Sequence, residues 1–458
     1  MNRLSKVDLR SLAGGNSRLV TDPHAAHIQA ESAHILEACT FCGKCFEVCP
    51  MVPYTEVKGA NPERVVRGVI DILRDVPEPG REGVVWTQAC QKSGLCVDAC
   101  PEDVNPRKML EYARIKLLHR AVPQEGRRRA SRDYFKRLSR TLKLVAGIQM
   151  DPFRFRQLTS VRGERKERAP TVFYFGCNLL RTPHIIFTAM DVLDRLGVDY
   201  VVQGGVANCC GINHQRRGDV EWAGKVSAGS LANFAAFHPE QVLTFCPTCQ
   251  IQYTEFVPLG QKPDFPFIHI TQFLAENADG LRSLYVQPVP RRVALHEHEG
   301  VPGVRKNIRA ILRSIPGLEL VEIDQHYDHG YQCPTLALAP AKEAMLEKLF
   351  TSARAAGIDV LATVYHSCYR DLCGEEANQP FEVKNFISLV GEAMGIDHEE
   401  RFKKYRLYRD VERVVEESEE FIRANGMDAR QIRDAIGQEL YGPPLPPSPV
   451  LPPPPSPQ

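Results

Sequence analysis

A run of four closely spaced cysteines near the amino terminus constrains this chain more than any other feature. Residues 39–50 read CTFCGKCFEVCP, which is the spacing C-x2-C-x2-C-x3-C-P. Three thiolates on so tight a turn can each reach one iron of a cubane, and the fourth points toward a different cluster. Zinc sites instead use cysteine pairs separated by a longer loop. The run therefore predicts an iron–sulfur module.

The same frame recurs with one change at residues 90–101, which read CQKSGLCVDACP. Ser93 stands where a cysteine is expected. A two-cluster arrangement assigns one 4Fe–4S cluster to Cys39, Cys42, Cys45 and Cys100, and the second cluster to Cys49, Cys90 and Cys96. Three outcomes are open for this second cluster. The fourth iron is held by the Ser93 oxygen, by water or by another ligand; the fourth iron is lost, which leaves a 3Fe–4S cluster; or the second cluster is absent. Three ligands in frame favour a cluster of some kind.

Segments typical of strands and helices alternate after Pro170. Strands are expected at 171–175, 199–202, 241–244, 292–296, 318–323 and 360–364. Helices are expected at 185–196, 220–237, 304–314 and 341–356. This alternation predicts largely parallel sheets with helices on their faces. The pattern repeats after about 120 residues, which indicates an internal duplication.

Five cysteines follow the ends of the first three of these strands, namely Cys177, Cys209, Cys210, Cys246 and Cys249. Ligands of open parallel sheets bind outside the carboxyl ends of the strands, so the five thiols should converge despite their separation. Five thiolates exceed what one zinc ion or one cubane needs. Their number therefore does not match an ordinary zinc site or cubane, and structural cysteines around one zinc ion are the alternative to a larger metal centre.

The second repeat carries only Cys333 and Cys368 at the corresponding positions, with Cys373 a little beyond. It is either a decayed repeat that completes the fold or a substrate or partner pocket that faces the intact site. Cys333 and Cys368 could also form a dithiol, or a different metal site with a nearby histidine. The histidines in question are His296, His298 and His366.

A ferredoxin module, a linker and two repeats with C-C-G and C-x-x-C motifs resemble the D-type subunit of the heterodisulfide reductases. The iron–sulfur subunits of glycolate oxidase and of lactate utilisation are relatives of that family. The resemblance implies an α+β and α/β multidomain fold: a helical two-cluster ferredoxin-like domain, then two Rossmann-like α/β CCG repeats. It also implies that the five cysteines of the first repeat hold a non-cubane 4Fe–4S cluster, at which a disulfide is cleaved or formed.

The resemblance predicts an oxidoreductase subunit that relays electrons between a flavin or iron–sulfur partner and the CCG cluster. A membrane cytochrome subunit is a further partner that it allows. The alternative is a non-catalytic electron-transfer subunit of a flavin-linked glycolate- or lactate-type 2-hydroxy-acid dehydrogenase. A zinc-stabilised interaction protein is a third and more distant interpretation.

Composition and charge narrow the partners and the location. The formal net charge of +1 gives no general attraction to nucleic acid. No stretch reaches about 18 uncharged apolar residues, and the amino terminus lacks the apolar run of a signal peptide. The sequence therefore predicts a cytoplasmic protein that is not itself transmembrane, with a peripheral position on the inner face of the membrane as an option.

Six segments follow from these patterns. They are a ferredoxin-like domain (1–125), a basic linker (126–168), a first CCG repeat with intact cysteines (169–288), a degenerate second repeat (289–398), a charged helical segment (399–442) and a proline-rich disordered tail (443–458).

Overall fold

The computed structural model describes residues 23–160, 166–256, 263–298 and 300–442. The predicted proline-rich tail lies outside these ranges. The first part is helical, with α1 Pro23–Ala38, α2 Lys44–Glu47, α3 Pro62–Leu73, α4 Arg81–Ala89, α5 Leu95–Ala99 and α6 Pro106–Ala121. Helices α3 and α6 begin alike, because Asn61 and Asn105 each accept a backbone N–H bond of the first turn and a proline follows. Helix α3 then buries an apolar face beside Trp86.

Two helices, α7 Gln124–Gly147 and α8 Pro152–Thr159, occupy most of the stretch predicted as a basic linker. Leu138, Leu142 and Val145 recur at helical spacing on α7 and are buried, while most of its arginines point to solvent. Asp151 caps α8 by accepting the backbone N–H of Phe153 at 2.9 Å. This stretch is therefore a packed helical connection.

The first repeat is built on a parallel sheet in the order β2-β1-β3-β4. Its strands are β1 Thr171–Tyr174, β2 Tyr200–Gln203, β3 Gln241–Thr244 and β4 Phe267–His269. Its helices are α9 Pro183–Arg195, α10 Ile212–Gln215, α11 Val220–Ala235, α12 Pro247–Ile251, α13 Ile270–Glu276 and α14 Ala278–Leu284. The register pairs Tyr174 with Gln203 and with Thr244, so the carboxyl ends of the three strands lie level.

The second repeat copies this topology in the order β6-β5-β7-β8. Its strands are β5 Arg292–His296, β6 Glu319–Val321, β7 Val360–Thr363 and β8 Glu382–Asn385. Its helices are α15 Val304–Arg313, α16 Ala339–Ala355, α17 His366–Leu372 and α18 Phe386–Ala393. The shared strand order supports the predicted duplication, and the predicted mixed helical and α/β architecture is confirmed.

Four short helices follow, namely α19 Arg401–Tyr408, α20 Val411–Glu417, α21 Glu419–Ala424 and α22 Ala429–Ile436. They pack back onto the connection and the first repeat. Asn425 donates to the carbonyl of Gly147 at 2.8 Å, and Glu439 forms a largely buried ion pair with Arg181. Within the described ranges, no helix combines the length and the apolarity needed to cross a bilayer.

Candidate functional site

The first three cysteines of the first run and Cys100 line one small cavity. Its wall contains the four thiols assigned to the first cluster, Cys39, Cys42, Cys45 and Cys100, together with Val66 and Met109. Cys42 is exposed, whereas Cys45 is buried. Thiols from both runs therefore meet in the crossed arrangement predicted from the sequence.

A second small cavity lies beside the first, and the two share Cys45. Cys49, Cys90 and Cys96 line it, and so does Ser93. Cys45 lies at the boundary of the two cavities, but the thiols that affect its charge most are those of the first set. The structure thus brings the seven cysteines and Ser93 together as two neighbouring sites.

The loops around the two cavities have the same backbone conformation. Phe41 and Gly43 have φ angles of 59° and 79°, and the corresponding Lys92 and Gly94 have 61° and 95°. Positive φ is uncommon for a residue with a side chain, so its recurrence at Phe41 and Lys92 shows that the same turn is built twice. Ser93 accordingly occupies the position in its loop that Cys42 occupies in the first.

Burial makes ionised thiols costly at both sites. It raises the pKa of Cys45 to about 12, and the neighbouring Cys39 and Cys100 thiols contribute. It also raises the pKa of Cys90 to about 11, with a smaller contribution from Cys49. Thiolates crowded in such surroundings need a cation to compensate their charge. The donor sets therefore fit iron, which would supply that charge.

The five cysteines of the first repeat converge at the carboxyl edge of its sheet. Cys177 follows β1, the C-C pair follows β2, and the C-x-x-C pair follows β3. Their thiols form a continuous series of side-chain contacts in the order Cys177, Cys209, Cys210, Cys249, Cys246. All five are buried. The three separate motifs thus converge in the structure, as the sequence predicted.

Gly211, the glycine of the CCG motif, is required by the backbone. Its φ angle is +84°, and a Cβ atom there would lie 2.4 Å from the carbonyl oxygen of Ala223. A side chain would therefore push α11 away from the turn. The glycine lets the chain pass from the cysteine pair directly into α10, and its N–H lies 3.4 Å from Cys209 Sγ.

Two of the five thiols, Cys210 and Cys246, have a lowered pKa, and that of Cys210 is lowered more. The thiols of Cys209 and Cys249 donate to Cys210 and hold its pKa well below the usual range, with a further contribution from the positive charge of Arg216. Tyr174, whose hydroxyl donates to the carbonyl of Asn208 at 2.7 Å, lies 3.5 Å from Cys249 Sγ. Sequence reasoning missed Tyr174 and Arg216, because no motif marks them.

The second ferredoxin-type site packs against both repeats, through Gln91 of its loop and through Arg107 of α6, which also lines its cavity. Arg107 donates from Nε to Glu255 in the first repeat at 3.0 Å and from Nη1 to the carbonyl of Gly300 in the second at 3.0 Å. Gln91 Oε1 accepts the backbone N–H of Ala337 at 2.9 Å. The second cavity therefore faces the junction of the two sheets.

A buried charge network reinforces this junction. Lys92 pairs with Glu111 at 2.9 Å, and Gln215 of the CCG helix α10 donates to the same carboxylate at 3.2 Å. Burial opposes ionisation of Glu111, but Lys92 outweighs it and lowers the pKa of Glu111 to about 2. The carboxylate thus stays charged and links the ferredoxin-like part to the CCG turn.

In the second repeat, Cys333 and Cys368 lie together with two of the three candidate histidines. The side chains of His296 and His298 surround the same point. Cys373 lies apart, with its sulfur 3.7 Å from the carbonyl of Arg370, and His366 is buried outside the group. This cluster follows β5 and so occupies the edge that corresponds to the cysteine site of the first repeat.

Comparison with known protein families identifies both cysteine regions. A "4Fe-4S dicluster domain" family matches residues 38–105, and a "Cysteine-rich domain" family, CCG, matches residues 171–254. The dicluster match spans both cysteine runs, including Ser93. The CCG match begins at β1 and ends just beyond the last cysteine pair of the first repeat.

Relatives match across most of the chain. The D-type subunit of the dihydromethanophenazine:CoB–CoM heterodisulfide reductase of Methanosarcina barkeri is 25% identical over 407 residues, which are 79% of this chain and 94% of the relative. The B-type subunit of a fumarate reductase (CoM/CoB) of Methanothermobacter marburgensis is 25% identical over 384 residues, 79% of this chain and 73% of the relative. An uncharacterised iron–sulfur protein of Methanocaldococcus jannaschii is 24% identical over 303 residues, 63% of this chain and 58% of the relative.

These matches confirm the predicted resemblance to the D-type subunit of the heterodisulfide reductases. The buried, converging thiols fit the cofactors that both families imply. The chain accordingly carries 4Fe–4S clusters, including a non-cubane one, and is an iron–sulfur electron-transfer subunit.

Proposed function

We propose that this chain, a relative of the D-type heterodisulfide reductase subunits, relays electrons between a redox partner and a CCG-bound cluster that acts on a disulfide or thiol. Cleavage of a disulfide consumes two electrons and two protons and yields two thiols. A flavoprotein or an iron–sulfur protein would supply the electrons. The non-cubane cluster would supply the sulfur and iron chemistry at the disulfide.

The packing of the second ferredoxin-type loop on the CCG turn carries this proposal. Lys92 belongs to that loop, Gln215 to the helix that follows the CCG motif, and both contact Glu111. Buried contacts of this kind exclude water and fix the separation of two centres. The second site is therefore held next to the five-cysteine site, so that an electron that reaches the second site can pass to the five-cysteine site.

Exposure of the thiols supports a direction from surface to interior. Cys42 at the first site is exposed, the cysteines of the second site are partly buried, and the five CCG cysteines are buried. A partner would thus approach the first site most closely, while the reactive centre is sheltered from solvent. We therefore propose that the redox partner docks at the first site, and that the chain works in the cytoplasm, with a peripheral position on the inner face of the membrane as an option.

Disulfide turnover by the anaerobically purified full chain tests the proposal. With reduced viologen as donor, we expect one disulfide to be cleaved for every two electrons consumed, and we expect the Cys210→Ala chain to show only the blank rate. The mixed disulfide of coenzymes M and B, which the names of the relatives suggest, and glutathione disulfide are suitable substrates. Viologen absorbance and thiol release measure the reaction.

A different outcome would favour the alternative function. Clusters that accept electrons from a flavin-linked lactate or glycolate dehydrogenase, but stay reduced with every disulfide, would contradict the proposal. They would identify a non-catalytic electron conduit.

We also propose that Cys39, Cys42, Cys45 and Cys100 ligate the first cluster, and that Cys49, Cys90 and Cys96 ligate the second with Ser93 facing its fourth iron position. The CCG cluster is assigned to the five buried cysteines of the first repeat. The matching φ angles of the two loops support the assignment of Ser93, because they place it where Cys42 stands in the first loop.

Replacing Ser93 with cysteine should complete the second cluster. A fourth thiolate would hold the last iron, so a 3Fe–4S cluster would gain about one iron, or an oxygen-ligated cluster would become fully thiolate-ligated. Iron analysis and EPR spectroscopy of the oxidised and reduced chain report both changes. Ser93→Ala is the matched control and should not raise the iron content. An unchanged spectrum in the cysteine variant would show that residue 93 does not face a cluster.

A further inference from the structure

We propose that His296, His298, Cys333 and Cys368 bind a single zinc ion with tetrahedral geometry. The second repeat would then have exchanged a redox centre for a structural one. This inference is independent of the function proposed above, because it concerns a site at the other sheet.

The positions of the four residues follow from the topology. His296 ends β5, and His298 lies two residues beyond. Cys333 opens a short helical turn, and Cys368 lies in the first turn of α17 after β7. All four thus sit at the carboxyl edge of the second sheet, where the rules for parallel sheets place ligands.

The distances fit one metal ion. Nε2 of His296 and Nε2 of His298 lie 3.1 and 3.4 Å from Cys333 Sγ, and the four ligand atoms all lie within 4.8 Å of one another. Zinc binds sulfur at about 2.3 Å and nitrogen at about 2.0–2.1 Å, so tetrahedral ligand atoms are roughly 3.3–3.8 Å apart. A Rieske-type cluster would place the two histidines and the two cysteines on different irons, farther from each other.

The surroundings orient the ligands as a metal requires. His298 Nδ1 lies 3.0 Å from the carbonyl oxygen of His329, to which it can donate, and this leaves Nε2 free to coordinate. The backbone N–H of Cys333 lies 3.3 Å from Cys368 Sγ and can stabilise a thiolate there. A backbone N–H that donates to a ligand sulfur is typical of metal sites in proteins. So is a histidine that donates from one ring nitrogen and coordinates with the other.

Charge and burial select zinc. The four side chains are at most 2% exposed, so two bare thiolates would be costly there. A divalent cation neutralises them, and two nitrogen and two sulfur ligands around a closed position are typical of structural zinc. Four protein ligands leave no open coordination position, which argues for a structural role.

The site would stabilise contacts to the rest of the molecule. Gln332, which precedes Cys333, donates to Thr248 Oγ1 at 2.8 Å, within the C-x-x-C motif of the first repeat. Ser367, which precedes Cys368, donates to Gln332 Oε1 at 2.5 Å. His329 also lies 2.9 Å from the hydroxyl of Tyr54 in the ferredoxin-like part. One ion would thus fix the loops through which the second repeat contacts the first repeat and the ferredoxin-like part.

Metal analysis of the anaerobically purified full chain, prepared without a histidine tag, tests this proposal. We expect about one zinc per chain and a zinc X-ray absorption spectrum with two nitrogen and two sulfur ligands. His298→Ala and Cys333→Ala should lower the zinc content at least about fivefold. The matched controls His366→Gln and Cys373→Ala, each a buried residue outside the cluster, should retain the ion.

The wild-type spectrum keeps the test decisive if a ligand variant fails to fold. Absence of zinc, an all-sulfur ligand shell, or iron in place of zinc would overturn the proposal. Loss of zinc from His366→Gln or Cys373→Ala would overturn the ligand set. Retention of zinc by the Cys210→Ala chain would show that the ion does not occupy the CCG site.

Discussion

Replacing Cys210 with alanine should remove the CCG cluster and abolish disulfide turnover while the ferredoxin-type clusters persist. Cys210 lies in the middle of the series of five thiols, between Cys209 and Cys249, and hydrogen bonds from both neighbours lower its pKa. Its loss would interrupt the donor set. We expect the iron content to fall by about four atoms per chain and the acid-labile sulfide to fall with it. Iron and sulfide analysis, with EPR spectroscopy of the reduced chain, measure both.

Cys373→Ala is the matched control, because Cys373 is also buried but contacts no other cysteine in the described structure. It should keep its iron and its turnover. Parallel loss of the ferredoxin-type signals from the Cys210 variant would mean that the two centres do not assemble independently. An unchanged iron content would show that Cys210 is not a ligand.

Replacing Arg107 with methionine should loosen the ferredoxin-like part from the two repeats. The side chains of Arg107 and Glu255 are only 4% and 16% exposed, so the variant leaves a buried carboxylate without its partner. Breaking such a pair costs about 3–5 kcal/mol. Because this chain has several domains, the effect is measured best as local opening by hydrogen exchange around Glu255. We expect exchange to accelerate by about two orders of magnitude or more.

The exposed pair of Arg433 and Glu412 provides the control, with side chains 44% and 60% exposed. Arg433→Ala should cost no more than about 1 kcal/mol. Adding Glu255→Gln to the Arg107 variant removes the unpaired charge and should restore part of the protection. Equal exchange in wild type and the Arg107 variant would contradict a role for this pair in docking.

The course of the chain was predictable wherever a strand is buried on both faces. The first three strands of the first sheet and β5 and β7 of the second carry apolar runs, and their predicted positions agree with the structure to within about two residues. Strands β4 and β8 were missed. Both lie at the outer edge of their sheets. Strand β4 has only three residues and follows Pro266 directly. In β8, Glu382 and Lys384 alternate with buried residues, so this strand shows no apolar run.

The metal sites were predictable as far as they depend on spacing or on the ends of strands. The crossed arrangement of Cys49 and Cys100 follows from motif spacing, and the convergence of Cys177 with Cys246 follows from sheet topology. The pairing of Arg107 with Glu255 joins residues 148 positions apart, and no local pattern indicates it. A metal site of histidines and cysteines was only one of several interpretations of the second repeat, because an isolated histidine is more often structural. Only the fold shows that the four ligand atoms meet.

The exposure of Cys42, alone among the fifteen cysteines, also ranks the centres by their vulnerability to dioxygen. Oxidation follows the accessibility of the thiolate, so air would damage the outermost cluster first. Brief aeration would then stop electrons from entering at the first cluster before it damaged the buried CCG cluster. Repair would need iron and sulfide only at a surface cavity, with the interior left intact.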